Sequence, residues 1–177
     1  DTMVGVDPAG ESFYDTNFAA FSSLVDEFDE VIAATFETIP VDQRKLVTYH
    51  DAYAYFADTY GWNVIGAVQP ADFGEPTAGD VIDLIEQIDA EGVPAVFGSE
   101  VFPSPALEQI ANETGAVYVD DLRDDDLPGE PGAAEHSWLG LMKSNFVTMT
   151  DALGGDSATL AAFELRNVAT DEATYPQ

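Results

Sequence analysis

The sequence predicts an α/β fold: a single lobe with a roughly four-stranded parallel sheet flanked by helices, preceded by one long helix. Two observations indicate this. Short apolar runs rich in β-branched residues alternate along the chain with amphipathic helical patterns. A still longer helical pattern stands before the first of these runs. Strands that are separated by helices form right-handed βαβ units around a parallel sheet.

The long first helix is predicted from apolar residues that recur at spacings of three and four. Asp7-Pro8 fit the N-cap and first-turn proline, and Ile39-Pro40 mark the end, because a residue before proline is disfavoured in a helix. The stripe consists of Tyr14, Phe18, Phe21, Val25, Phe28, Ile32 and Phe36. At 1.5 Å per residue such a helix would be about 40 Å long. It should therefore span the molecule or tie it to something else.

Strands and helices alternate after this helix. The predicted strands are Leu46–Tyr49, Val64–Val68, Ala95–Phe97 and Val117–Val119. The predicted helices are Ala52–Tyr60, Ala78–Ala90, Pro105–Glu113 and Ser137–Leu153. Gly61, Gly92 and Gly115 each follow a helix, at the expected position of a left-handed C-cap.

Three segments make up the predicted organisation of the chain. Residues 1–40 form the long helix, and residues 41–155 form the α/β lobe. Residues 156–177 have only a weak apolar pattern, so we expect an appended helix or strand and a loose terminus. A stretch of 13 residues that is rich in acids, Asp120–Gly132, is expected to form a long loop after the last strand.

The charge balance excludes several classes of partner. With 34 acidic and 5 basic residues the formal net charge is −29, which excludes nucleic acid and anionic membrane surfaces. At 46% hydrophobic and 11% aromatic residues the chain is too apolar to be disordered, so the acids must coat a core. Such a coat is typical of halophilic, haloarchaeal-type proteins, since at molar salt the Debye length is about 3 Å and repulsion is screened. The absence of cysteine excludes disulfides and thiolate metal sites.

Both histidines lie at junctions between a predicted strand and a predicted helix. His50 follows the first strand, and His136 follows the acidic loop. A third junction, after Ala95–Phe97, carries Ser99 and Glu100. All three junctions fall at the carboxyl edge of a parallel sheet, where imidazoles and carboxylates suit a divalent metal such as zinc or manganese. The spacing alone also fits a capping or packing role for each histidine.

The residues around His50 carry a resemblance to a known family. Leu46–Ala57 reads L-V-T-Y-H-D-A-Y-A-Y-F-A and precedes Tyr60-Gly61. It is similar to the H-D-A-F-x-Y-F-A…Y-G segment of TroA-like solute-binding proteins, the extracytoplasmic receptors of zinc and manganese ABC importers. Similar segments follow in the family's order. They are Glu75-Pro76-Thr77, Val93–Phe97, Glu108–Gly115 and His136–Asn145. The resemblance covers roughly residues 7–155.

The resemblance implies three metal ligands. His50 matches the histidine ligand of the family's second lobe. An ungapped match puts Ser99 at the carboxylate position, but serine is a poor ligand, so Glu100 is the predicted one. His136 stands where the family usually has aspartate, and an imidazole there favours zinc over manganese. Glu135, beside His136, is a fallback ligand, so Ser99, Glu100 and Glu135 all stay open as the donor at the carboxylate position.

The family has two lobes joined by a long helix, and the first lobe supplies at least one further histidine ligand. The sequence resembles the second lobe with that connecting helix. The resemblance therefore implies an N-terminal lobe as a missing partner, and capture of the metal ion between the lobes.

The predicted function is the extracytoplasmic substrate-binding component of an ABC importer, with Zn²⁺ or Mn²⁺ as transported ligand and a membrane permease as partner. The expected location is extracellular or at the cell surface, and no enzyme activity is expected. One alternative is an interaction or structural lobe with a vestigial metal site. A weaker alternative is a metal-dependent hydrolase that uses His50, Glu100, His136 and a bound water.

Overall fold

The computed structural model describes residues 2–69, 76–99, 104–123 and 126–168. Its strands are β1 (Lys45–His50), β2 (Asn63–Gln69), β3 (Ala95–Ser99) and β4 (Val117–Leu122). Its helices are α1 (Thr2–Val6), α2 (Glu11–Phe36), α3 (Ala54–Tyr60), α4 (Ala78–Glu91), α5 (Pro105–Thr114), α6 (Trp138–Ala152) and α7 (Ala158–Ala161). Single 3₁₀ turns occupy Pro8–Gly10 and Val41–Gln43. None of the described helices is both long and apolar enough to cross a membrane.

The four strands form one parallel sheet in the order β2-β1-β3-β4. The predicted fold class is confirmed: helices flank this sheet, and a long helix precedes it. The fourth strand is longer than predicted. Residues Asp120, Asp121 and Leu122, assigned to a loop on account of their acids, continue β4, and Leu122 pairs with Ser99 of β3.

Adjacent residues of each strand face opposite layers of helices, as the pleat requires. Leu46 packs into the core between the sheet and α2, α3, α6 and α7, whereas Val47 packs into the core under α4 and α5. Ala95 and Phe97 join the first core, and Val96 joins the second. Because both faces of the sheet are covered, only its edges and the ends of its strands are accessible for binding.

The long helix begins later than predicted. Asp7-Pro8 start a 3₁₀ turn, and the Asp7 carboxylate accepts a hydrogen bond from the Tyr14 hydroxyl at 3.0 Å rather than capping the turn. α2 itself has 26 residues and is about 39 Å long. One face of its C-terminal half is buried, with Phe28 and Phe36 each 2% exposed, whereas Phe18 in its N-terminal half is 73% exposed. The lobe therefore covers only one half of this helix.

The C-terminal segment holds α2 against the lobe. The Phe163 ring packs on Phe28 with centroids 5.0 Å apart, and Arg166 forms an ion pair with Glu27. The Lys143 ammonium donates a hydrogen bond to the Phe163 carbonyl at 2.8 Å. α7 is the helix that the sequence allowed for in this extension, and residues 169–177, the predicted loose terminus, lie outside the described residues.

Helix ends follow the expected chemistry. Gly61, Gly92 and Gly115 have φ values of 68°, 61° and 75°, which confirms the predicted left-handed C-caps. At the N termini, Thr77 accepts a hydrogen bond from the Asp80 amide and Ser104 accepts one from the Leu107 amide. These caps fix where each helix meets the sheet.

The Phe36 ring is the centre of an aromatic cluster that joins α2 to the lobe. The cluster rings Phe56, Tyr60, Trp62 and Phe146 lie 5.0–5.5 Å from it between centroids. Tyr60 adds a hydrogen bond to the Asp29 carboxylate of α2, and burial together with that carboxylate raises the pKa of Tyr60 above its ordinary range. The end of α2 is thus bound to α3, to Trp62 in the turn that follows α3, and to α6.

We expect Phe36→Ala to lower the free energy of unfolding by about 3–5 kcal/mol, because it removes a buried ring and leaves a cavity. Phe18→Ala is the matched control: the same substitution on the same helix at an exposed ring should change stability by less than about 0.5 kcal/mol. Denaturant unfolding followed by tryptophan fluorescence in molar salt measures both. An equal decrease in the free energy of unfolding of the two variants would contradict the packing described.

Candidate functional site

The strand order creates one point where the sheet can bind a ligand. β1 and β3 are neighbours, but the chain leaves β1 toward β2 on one side and β3 toward β4 on the other. Open α/β sheets bind ligands in the crevice at the carboxyl ends of two such strands. In this protein β1 ends at His50 and β3 ends at Ser99.

A small cavity of about 50 Å³ lies at this point. Its lining residues are Thr48, Tyr49, His50, Ala52, Tyr53, Phe97, Gly98, Ser99 and Leu122. A space of this size, as the described residues form it, holds an ion or a few water molecules. Pockets for organic ligands are usually about 300 Å³ or larger. The cavity therefore fits a small inorganic ligand.

His50 is fixed by its own strand. The His50 carbonyl accepts hydrogen bonds from the Thr48 hydroxyl at 2.7 Å and from the Ala52 amide at 3.1 Å. Its half-buried ring meets the Tyr49 ring edge to face, with centroids 4.6 Å apart. Asp51 is exposed, and α3 begins at Ala54 rather than at the predicted Ala52, with Tyr53 at its N-cap position. The chain makes one further turn before this helix begins.

Ser99 and Thr48 add hydroxyl groups to the same cavity. Ser99 is 2% exposed and Thr48 is 3% exposed, so both are held inside the protein. Glu100, the predicted carboxylate ligand, lies outside the described residues. Thr48 was missed by the sequence reasoning, although its position two residues before His50 puts it on the same side of the strand.

His136 occupies the turn before α6 and is half-buried. Its Nδ1 lies 3.3 Å from the carbonyl oxygen of Gly129. It does not line the cavity that holds His50. Glu135 is exposed and lines a separate cleft of about 330 Å³ beside Lys143. Within residues 2–69, 76–99, 104–123 and 126–168, no three histidine or acidic side chains form a group that could hold a metal ion.

Two anchors fix the segment that carries His136. Asn145, which is 6% exposed, accepts a hydrogen bond from the Arg123 amide and donates one to the Arg123 carbonyl, both at 2.8 Å. At the other end Ser137 caps α6, since its hydroxyl accepts from the Gly140 amide at 3.1 Å. Both ends of this segment, at Arg123 and at Ser137, are therefore held by hydrogen bonds to α6.

We expect Asn145→Ala to lower the free energy of unfolding by about 1–3 kcal/mol, because both main-chain groups of Arg123 lose their side-chain partner. Ser144→Ala, at the neighbouring half-buried position, should change it by less than about 0.5 kcal/mol. Urea titrations of the three proteins measure the difference. If Asn145→Ala is as stable as the wild type, the two hydrogen bonds between Asn145 and Arg123 do not hold this segment in place.

Comparisons with known proteins show what this chain is similar to. Residues 1–152 match the family model described as ZnuA, zinc-uptake complex component A, periplasmic. The manganese-binding lipoprotein MntA of Halalkalibacterium halodurans is 28% identical over 156 residues, which are 86% of this chain and 51% of that protein. The iron-binding protein YfeA of Yersinia pestis is 28% identical over 155 residues, 86% of this chain and 49% of that protein.

A solved structure is similar over the same share of the chain. The periplasmic zinc binding protein TroA from Treponema pallidum matches with a TM-score of 0.76 and 25% identity, covering 86% of this chain and 56% of that one. The chain thus spans about half the length of the relatives it matches. Because the family model matches most of its residues, the chain belongs to the ZnuA/TroA family of periplasmic metal-binding solute-binding proteins.

Proposed function

We propose that this chain is the second lobe, with its connecting helix, of the extracytoplasmic substrate-binding component of an ABC importer for Zn²⁺ or Mn²⁺. The observation that carries the proposal is the position of His50, which lines an ion-sized cavity at the junction of β1 and β3. Family membership supports the same function. The named metals of the relatives above differ, being manganese, iron and zinc, so the choice of metal rests on this chain's own ligands.

The proposed ligands are His50, Glu100 and His136. His50 has the strongest support, because it lines the cavity. Glu100 directly follows Ser99, another lining residue. His136 stands just before α6, which packs on β4, and the turn that carries it leaves the carboxyl end of that strand. Two imidazoles with one carboxylate favour zinc over manganese. Ser99 and Glu135 are the alternatives to Glu100 as the donor at the carboxylate position.

In the proposed mechanism the protein binds and releases the metal ion and catalyses no reaction. Neutral imidazoles and a carboxylate replace part of the ion's water shell, and loosening of that shell releases the ion to a membrane permease. No bond of an organic substrate has to be broken. The small size of the cavity that the described residues form, about 50 Å³, supports this role over the hydrolase alternative, because pockets for organic ligands are usually about 300 Å³ or larger.

An N-terminal lobe is the proposed cover for one face of this chain. The Phe21 and Trp138 rings meet with centroids 6.2 Å apart, yet Trp138 is 48% and Phe18 is 73% exposed. Residues 16–25 carry no charge in a chain whose net charge is −29. Exposed aromatic surface without carboxylates is typical of a protein contact. The lobe would also supply the remaining ligands of the ion, outside the cytoplasm or at the cell surface.

The function is tested by calorimetric titration of zinc and manganese in molar salt. We expect the wild type to bind one ion and His50→Ala to bind it at least about tenfold more weakly. Removing a residue that only orients a metal ligand already costs about that much affinity, so removing a ligand should cost no less. Tyr55→Ala is the matched control, since this ring on α3 is 91% exposed and should leave binding unchanged.

Two results would contradict the proposal. The first is that zinc neither binds to the wild type nor raises its melting temperature, and the second is that His50→Ala binds zinc as tightly as the wild type. The first result would favour the interaction lobe with a vestigial site. Turnover of ester or phosphate substrates by the zinc-loaded protein would instead favour the hydrolase.

A further inference from the structure

Gly140 lies in the first turn of α6 and is buried against main chain. A Cβ atom at this position would overlap the carbonyl oxygen of Glu135 and come within 2.7 Å of the carbonyl carbon. Gly140 is not among the glycines with positive φ, so its backbone conformation does not require glycine. A glycine inside a helix costs about 1 kcal/mol relative to alanine. The close approach of the Glu135 carbonyl to the helix explains why this position has glycine in spite of that cost.

Gly129 forms a second close contact with the same turn. Its φ is 71°, in the left-handed region, and a Cβ atom there would lie 2.6 Å from Cγ of Glu135. The carbonyl oxygen of Gly129 lies 3.3 Å from Nδ1 of His136. Gly140 therefore packs on the main chain of Glu135 and Gly129 on its side chain, and Gly129 also contacts the imidazole of His136.

The contact between Gly129 and His136 selects one tautomer of the imidazole. A carbonyl oxygen only accepts, so the hydrogen bond requires the proton on Nδ1. In a neutral ring the lone pair is then on Nε2. Histidines that bind metals commonly donate their other N–H to a backbone carbonyl, and this fixes the ring for coordination.

We propose that Gly140 and Gly129 are positioning residues for the metal site, an inference that rests on the proposed function. Their missing side chains let residues 129–137 pack against α6, and this packing presents His136 as an Nε2 ligand. Neither glycine touches the ion. Each acts through the position of the turn and the tautomer of His136.

The test compares Gly140→Ala with Gly79→Ala. Gly79 also lies in the first turn of a helix with a hydroxyl cap, but a Cβ there meets only Oγ1 of Thr77, at 3.6 Å. Nitrogen-15 NMR of the histidine rings at about pH 8, where a model imidazole is neutral, reports the tautomer in the metal-free protein. Zinc titration reports affinity.

We expect the wild type and Gly79→Ala to show the Nδ1–H tautomer at His136 and equal affinity for zinc. Gly140→Ala should lose this tautomer preference and about 10–100-fold in zinc affinity, the range for residues that orient a ligand. If Gly140→Ala does not fold, Gly129→Asn gives the same two readouts, because asparagine tolerates the left-handed backbone.

Three results would overturn the inference: an Nε2–H tautomer in the wild type, an unchanged affinity in Gly140→Ala, or a weakened affinity with the tautomer unchanged. The metal-free NMR measurement separates this inference from the proposed function. A wild type that shows the Nδ1–H tautomer but binds no zinc would overturn the function, and with it the role of the two glycines in metal binding.

Discussion

β1 lies between β2 and β3, and the chain leaves β1 and β3 toward opposite sides of the sheet. The structure depends on this arrangement, because helices cover both faces of the sheet and leave the ends of the strands for binding. Thr48 pairs with Phe97 across the two strands, and both residues line the cavity. The pairing of the two central strands thus brings His50 of one beside Ser99 of the other.

The many acidic residues of the chain do not indicate where this site lies. Carboxylates are too common in a chain with 34 acids for any one of them to indicate a site. The few basic groups have structural tasks in the described part of the chain, such as Lys143 on the Phe163 carbonyl and Arg166 on Glu27. The more informative surfaces are those without acids, at Phe18, Phe21 and Trp138. They are the ones that the proposed N-terminal lobe would cover.

Much of the fold follows from sequence patterns, since β-branched runs, apolar stripes and C-cap glycines are local signals. The extension of β4 through Asp120 and Asp121 was missed, because pairing with β3 overrides the loop preference of consecutive acids. At the site, His50 followed from a motif and from its place at a strand end. Close approaches across space, such as Gly140 against Glu135 or Asn145 on Arg123, leave no periodic signal in the sequence.

X-ray absorption at the zinc edge of the zinc-loaded protein tests the central claim most directly, because it reports the ligands of the bound ion. The proposed shell predicts imidazole scattering with Zn–N distances of about 2.0–2.1 Å, and a loss of part of that scattering in His50→Ala. A shell that contains only oxygen ligands, or imidazole scattering unchanged by His50→Ala, would contradict a metal site at the junction of β1 and β3.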